Sequence, residues 1–224
     1  MPSSDGDKPM KILTPLQNKV LEVFFNVPDL KRHFYLTGGT ALAAFYLQHR
    51  LSIDLDFFTH SAQIHDVERV VEDTFQSAGL RFQKERSSPT FRRYLIQDEL
   101  QVDIVRDIDC RIGVPQWTNG VMVDTPKNIA VNKVTAIYGR LEPKDYVDLY
   151  FLKPTLDLDI MELLKLAKMK DGGMDPFQWA KIISDVDTFT VLPQMVKPLT
   201  LKELQKFFHT LRNEILDALK RQTS

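Results

Sequence analysis

Thr37-Gly38-Gly39-Thr40, followed after a short apolar stretch by Arg50-Leu51-Ser52-Ile53-Asp54-Leu55-Asp56-Phe57-Phe58, is the part of the chain that decides its fold. The alternation from Ile53 to Phe58 predicts a strand that projects Asp54 and Asp56 from one face and Ile53, Leu55 and Phe57 from the other. Two carboxylates on one face repel each other. A cation, a shared proton or wide separation in solvent must offset that repulsion. Hard oxygen ligands of this kind suit Mg²⁺ or Mn²⁺, which are usually held by one or two carboxylates together with substrate phosphates. Both acids sit in one of the most apolar stretches of the chain, where an unused charge would be costly to bury.

The glycines supply the other half of the expected site. Phe34-Tyr35-Leu36 before them reads as a strand, and Thr40 to Leu47 after them has helical composition. In a strand, Gly-Gly, helix arrangement the backbone at Gly38 and Gly39 can approach a ligand closely, and the open N–H groups of the first helical turn favour an anion such as a triphosphate. Thr37 and Thr40 add hydroxyls, one of them a candidate helix cap.

A metal-dependent phosphoryl or nucleotidyl transfer site calls for a third carboxylate on a neighbouring strand. Phe91 to Ile96 and Leu100 to Arg106 read as a hairpin with Gln97-Asp98-Glu99 as its turn, and Asp103 stands alone among β-branched residues of the second strand. Three carboxylates of this kind can clamp two metals, activate an attacking hydroxyl and stabilise leaving pyrophosphate. Each piece also has a plainer reading: a Gly-Gly turn, and strand acids in solvent.

With these residues in view, the chain resembles the AbiEii/AbiGii toxin family of the DNA polymerase β-like nucleotidyltransferase superfamily. The matching elements are Gly38-Gly39-Thr40-Ala41-Leu42, Arg50-x-Ser52-x-Asp54-x-Asp56-Phe57, the isolated Asp103, and a segment from Lys133 to Asp148 that contains Lys133 to Arg140 and Lys144-Asp145-x-x-Asp148. They cover residues 34 to 152, about half of the chain. The resemblance implies an α/β nucleotidyltransferase core with a mixed sheet flanked by helices. It further implies transfer of a nucleoside monophosphate from NTP to an acceptor hydroxyl, which could be the 3′ end of tRNA or another RNA, by a toxin paired with a cognate antitoxin.

The downstream segment has its own chemistry. Lys133 and Arg140 lie at helical spacing and are expected to share a face and reach triphosphate oxygens, where positive charge stabilises the transferring phosphoryl group. Lys144, Asp145 and Asp148 open the next helix; the plain alternative is a Lys144–Asp148 surface pair. The expected roles are therefore Asp54, Asp56 and Asp103 at the metal, with Asp103 otherwise accepting the proton of the attacking hydroxyl. Gly38, Gly39, Thr40, Arg50, Ser52, Lys133 and Arg140 are expected at the nucleotide, and Lys133 and Asp148 in catalysis. A competing reading keeps the same fold as a non-catalytic, nucleotide-dependent module, but such a module has no use for three repelling carboxylates. Small-molecule or protein hydroxyls are the alternative acceptors.

Composition sets the limits. A chain of 224 residues, 43% hydrophobic and 26% charged, can bury a sizeable core. The expected division is a disordered tail over 1–10, the transferase core over 11–125 and a helical region over 126–224 that completes the active-site cleft. A formal net charge of -1 argues against a generally basic nucleic-acid coat. A local patch remains, with Arg81, Lys84, Arg86, Arg92 and Arg93 around the Ser87-Ser88-Pro89-Thr90 loop. One cysteine, Cys110, excludes an internal disulfide and a cysteine-cluster zinc site. A reducing cytoplasm is the expected compartment. The five histidines show no metal-ligand spacing, and no stretch is long and apolar enough to span a membrane.

Overall fold

A computed structural model of the chain describes residues 12–108 and 110–223; the expected tail at 1–10 lies outside them. The helices among the described residues are α1 (Pro15–Asn26), α2 (Pro28–His33), α3 (Gly38–Leu42), α4 (Ile64–Ser77), α5 (Pro126–Gly139), α6 (Pro143–Leu152), α7 (Ile160–Lys170), α8 (Pro176–Ile182) and α9 (Leu201–Thr223). The strands are β1 (Phe34–Thr37), β2 (Leu55–Thr59), β3 (Phe82–Ser88), β4 (Phe91–Ile96), β5 (Leu100–Arg106), β6 (Gln116–Thr118) and β7 (Val121–Val123). Those strands form one mixed sheet in the order β3-β4-β5-β2-β1-β7-β6. β2 runs antiparallel to β1 and parallel to β5.

The helices that pack on the sheet do so for reasons visible in the side chains. Thr14 and Gln17 form a reciprocal capping box ahead of α1, with Pro15 in its first turn. That helix buries Val20, Leu21, Phe24 and Phe25, and the Phe24 ring stacks on Phe57 of β2 with centroids 3.9 Å apart. α4 buries Ile64, Val67, Val71 and Phe75 on the same side, where Phe75 meets Phe82 and Tyr94 edge-on. On the opposite side α3, α5 and α6 pack together beside β1 and β2. α5 starts where Thr125 accepts from the Asn128 N–H, and it is anchored from α8 by the Trp179 indole, which donates to the Val134 carbonyl at 3.0 Å.

The fold is thus mixed α/β with a helical C-terminal region, as the sequence predicts, but some elements differ. The strand expected from Ile53 begins at Leu55, and Ile53 is 79% exposed in the loop before it. β3 lies where the sequence suggests a basic loop. Its interior positions are all exposed, so the alternation that marks a half-buried strand is missing. The helix after Gly38-Gly39 widens into a π-helical turn at Ala43–Leu47 and ends at Gln48 in the left-handed region, φ 50°.

Candidate active site

A cleft of about 710 Å³ opens where the Gly38-Gly39 turn, β2, β5 and β4 face α5 and the start of α6. Gly38 has φ +73°, a conformation that L side chains rarely adopt, and a Cβ there would collide with the Asp56 carboxylate. A Cβ at Gly39 would collide with the Arg50 guanidinium and lie 3.0 Å from Ser52 Oγ. Both glycines are therefore required by close approach of the backbone to the acid and its neighbours.

Thr40 is buried, and its hydroxyl donates to the Asp54 backbone carbonyl, so it fixes the acid-bearing loop and does not line the cleft. Thr37 donates to Asp124 Oδ2 at 2.6 Å. Neither threonine side chain caps α3: Thr37, at the cap position, makes no such hydrogen bond. Ser52 lines the cleft, and its carbonyl accepts from Gln17 Nε2 at 2.8 Å.

Asp54 and Asp56 both line the cleft. In the sheet, Asp56 stands opposite Thr37 on one side and Asp103 on the other, and Asp103 stands opposite Arg93. Residues opposite one another share a face, so a polar row crosses the sheet. Burial, followed by the charges of Asp54 and Asp103, pushes the Asp56 carboxyl up to about 7, against the opposing pull of Lys133 and Lys144. A carboxyl raised to about 7 is only partly ionised at neutral pH, so the Asp56 site is short of positive charge.

That electrostatic deficit is the feature a divalent cation would correct, and Asp54 with Asp56 fits a site in which substrate phosphates supply further oxygens. The third acid is engaged elsewhere. Asp103 accepts from Arg93 Nε at 2.8 Å and from Nη2 at 2.7 Å. Among the described residues, no group of three or more His, Cys, Asp or Glu side chains is arranged to hold a metal by itself.

Behind the cleft lies a buried charge network that sequence spacing does not reveal. Asp148 is fully buried and does not line the cleft. Its carboxylate accepts from Arg50 Nε at 2.6 Å and Nη2 at 2.8 Å, pairs with Lys133 Nζ at 2.6 Å, and meets His49 Nε2 at 2.8 Å. A carboxylate only accepts, so His49 carries its proton on Nε2. Burial opposes ionisation of Asp148, yet Lys133, Arg50 and the hydrogen bonds from His49 and Arg50 hold its carboxyl well below the usual range. Lys133 also donates to Asp145 Oδ1 at 2.7 Å. Burial alone would lower the Lys133 pKa, but Asp148 and Asp145 raise it.

Lys133 and Arg140 do not lie on one helix face. α5 ends at Gly139, and Arg140 turns out in extended conformation to donate from Nε to Asp145 Oδ2 at 2.8 Å. Helical spacing fails there because the helix stops one residue short. The two cations are joined through Asp145, which lines the cleft. The surface pair Lys144–Asp148 does not form; Lys144 Nζ instead lies 3.4 Å from Asp54 Oδ2, over the cleft. Its place at the start of α6, facing the acid loop, depends on a tertiary approach that no local pattern reports. At the far end, Lys170 Nζ donates to Asn132 Oδ1 at 2.6 Å and pairs with Asp107 at 3.5 Å; none of these residues stands out in the sequence.

The basic cluster is divided by the sheet. Arg92 and Lys84 bond to Glu68 of α4 at 2.7 and 2.5 Å, on the face away from the cleft, and Arg81 pairs with Asp98 at 3.1 Å.

The chain resembles known proteins over most of its length. It is 31% identical over 175 residues to an uncharacterised protein of Aquifex aeolicus (strain VF5), covering 74% of this chain and 79% of the relative. Among solved structures, JHP933 from Helicobacter pylori superposes with a TM-score of 0.60 at 20% identity, covering 93% of this chain and 92% of that one. MenT4, the nucleotidyltransferase toxin Rv2826c from Mycobacterium tuberculosis H37Rv, superposes with a TM-score of 0.51 at 15% identity, covering 88% and 81%. At such identities the structural likeness is one of fold. The family described as nucleotidyl transferase AbiEii toxin, type IV TA system, matches residues 19–222, and with that match on nearly the whole chain the protein belongs to this family and is a nucleotidyltransferase.

Proposed function

We propose that the cleft moves a nucleoside monophosphate from an NTP to an acceptor hydroxyl with release of pyrophosphate, the acceptor being the 3′ end of tRNA or another RNA, and that the protein is the toxin of a pair with a cognate antitoxin. The observation that carries this reading is the packing of Gly38 directly against Asp56, with Asp54 beside it and open to the cleft. It sets a backbone able to hold phosphate next to acids able to hold a cation. Asp54 and Asp56 would hold Mg²⁺ or Mn²⁺, which when bound neutralises the acids and polarises phosphate oxygens. Asp103 would complete the metal site or take the proton of the attacking hydroxyl, with Arg93 keeping its charge in place beside Asp56.

The remaining residues act through position and charge. Gly38, Gly39 and Ser52 bind phosphate, while Lys144 and the half-exposed Arg140 bring positive charge to the triphosphate. Lys133 spends its ammonium on Asp145 and Asp148 and so positions the acids and Arg50 as well as adding charge to the cleft wall. A transferase core over 11–125, a helical region over 126–224 that completes the cleft, and action in the cytoplasm belong to the same reading.

The test is to incubate purified protein with Mg²⁺ or Mn²⁺, each α-labelled NTP in turn, and total RNA, beside the Asp54→Ala, Asp56→Ala double variant. Label is expected in RNA with the wild type only and from a preferred NTP. Metal-dependent NTP binding without labelled RNA would move the acceptor to a small molecule or a protein. Absence of NTP binding would overturn the reading.

A further inference from the structure

β4 divides its side chains between two faces. Arg92, Tyr94 and Ile96 are buried towards α4, whereas Phe91, Arg93 and Leu95 are half-buried on the face shared with Asp103 and Asp56. The register carries this second face one strand further, because Arg86 of β3 stands opposite Arg93. Arg86 is exposed and its side chain, among the described residues, makes no hydrogen bond or ion pair. Among the described residues the polar contacts from a helix to β3 and β4 are those of Glu68 and Glu72 of α4, all on the opposite face. The cleft lining reaches from Asp56 across Asp103 to Phe91 and Arg93 of β4, and the exposed Arg86 stands next along the same face.

The position of that surface matters for the reaction. Along the sheet, the phosphate-holding turn at Gly38 lies on the β1 side of the acids, and the open surface lies on the β5 and β4 side. In-line displacement at phosphorus puts the attacking hydroxyl opposite the leaving pyrophosphate. With pyrophosphate leaving towards the glycine turn, the acceptor has to come in over β5 and β4.

From this we infer that the open face of β5, β4 and β3 is the landing platform for a single-stranded RNA 3′ end, with Phe91 as a base-stacking surface and Arg86 as a phosphate contact. The inference rests on the transfer reaction and RNA acceptor proposed above and adds where on the sheet that acceptor binds. Three strand spacings separate Asp56 from Arg86, about 14 Å. A small acceptor confined at the acids would not reach that far, while an extended strand of a few nucleotides would. Phe91 is half-buried and lines the cleft, with the Arg93 guanidinium 5.6 Å from its ring centroid, and an aromatic flanked by arginine is suited to stacked bases. Of the five basic residues in this region, Arg81, Lys84 and Arg92 are paired away from this face. Arg93 is paired on it with Asp103, which leaves Arg86 as the cation without an ion pair there, with Glu85 at the intervening bulge as the acidic neighbour.

The test is fluorescence anisotropy with a 5′-labelled single-stranded oligoribonucleotide bearing a free 3′ hydroxyl, in Mg²⁺ without NTP, followed by labelled-NTP transfer to the same oligonucleotide. Phe91→Ala and Arg86→Glu are each expected to weaken binding about tenfold or more, and Arg86→Glu to lower the salt dependence by about one phosphate contact. Lys84→Ala, on the same strand but the opposite face, is expected to leave binding unchanged. Wild-type protein that does not bind the oligonucleotide, or binding and transfer indifferent to both Arg86→Glu and Phe91→Ala, overturns the platform. Binding that responds as expected but with no nucleotide transferred supports the platform and overturns transfer to RNA.

Discussion

Replacing Asp148 by asparagine removes one negative charge from the centre of a network that contains two buried cations. The Asp148 carboxylate takes two bonds from Arg50, one from His49 and an ion pair from Lys133, all at 2.8 Å or less, and it is fully buried. An amide of the same shape returns at most one good acceptor and turns an NH₂ towards donors. Lys133 keeps Asp145, but Arg50 loses its carboxylate partner while 3% exposed. Breaking a buried pair from one side costs about 3–5 kcal/mol. For a chain of this length that corresponds to a fall in Tm of roughly 6–20 °C. Urea unfolding followed by circular dichroism should show the loss as a lower midpoint at unchanged slope. Asp145→Asn should cost less, since one of its two partners, Arg140, is 54% exposed.

The pH dependence gives an independent check on the same group. Unfolded, this carboxyl titrates near 4; folded, its pKa is held well below the usual range. Its stabilising contribution is therefore complete above about pH 5 and is lost as pH falls through the ordinary carboxylate range towards the folded value. Asp148→Asn should flatten the acid limb of the stability curve. A loss under about 1 kcal/mol together with an unchanged acid limb would refute the network as a structural determinant.

Gly38→Ala forces a left-handed φ of +73° and a collision with Asp56, so transfer should fall by about 100-fold in a labelled-NTP assay as the acid is displaced. Asp56→Asn should raise the Tm of the metal-free protein at pH 8. A carboxyl raised to about 7 makes stability fall as pH climbs from about 4 to 7, and the variant lacks that term. On the proposed metal role, Mn²⁺ should raise the Tm of the wild type and not that of this variant, as read by scanning calorimetry. Lys144→Ala should raise the Kd for NTP several-fold in titration calorimetry with Tm nearly unchanged, because the ion pair its side chain makes among the described residues is a partly exposed 3.4 Å contact with Asp54.

Much of this molecule is legible where the signal is local. The helices at Pro15, Pro126, Pro143 and Ile160 begin at a proline in the first turn or at a capping side chain, signals that act within one or two turns. The hairpin carrying Asp103 follows from alternation on both arms and a polar turn. β3 and the short α2 escape such reading: one has no buried interior side chain, and the other buries only Leu30.

The sequence by itself determined which chemistry the chain carries: two acids two residues apart, a Gly-Gly turn ahead of them, and a third acid on another strand. Tertiary structure decided what each charge does. Arg50 reaches Asp148 across 98 residues, Lys144 reaches Asp54 across 90, and Arg93 takes the third acid from across a hairpin. Strand and helix periods report which face a side chain occupies, and charge pairing depends on which faces the folded chain brings within about 3 Å.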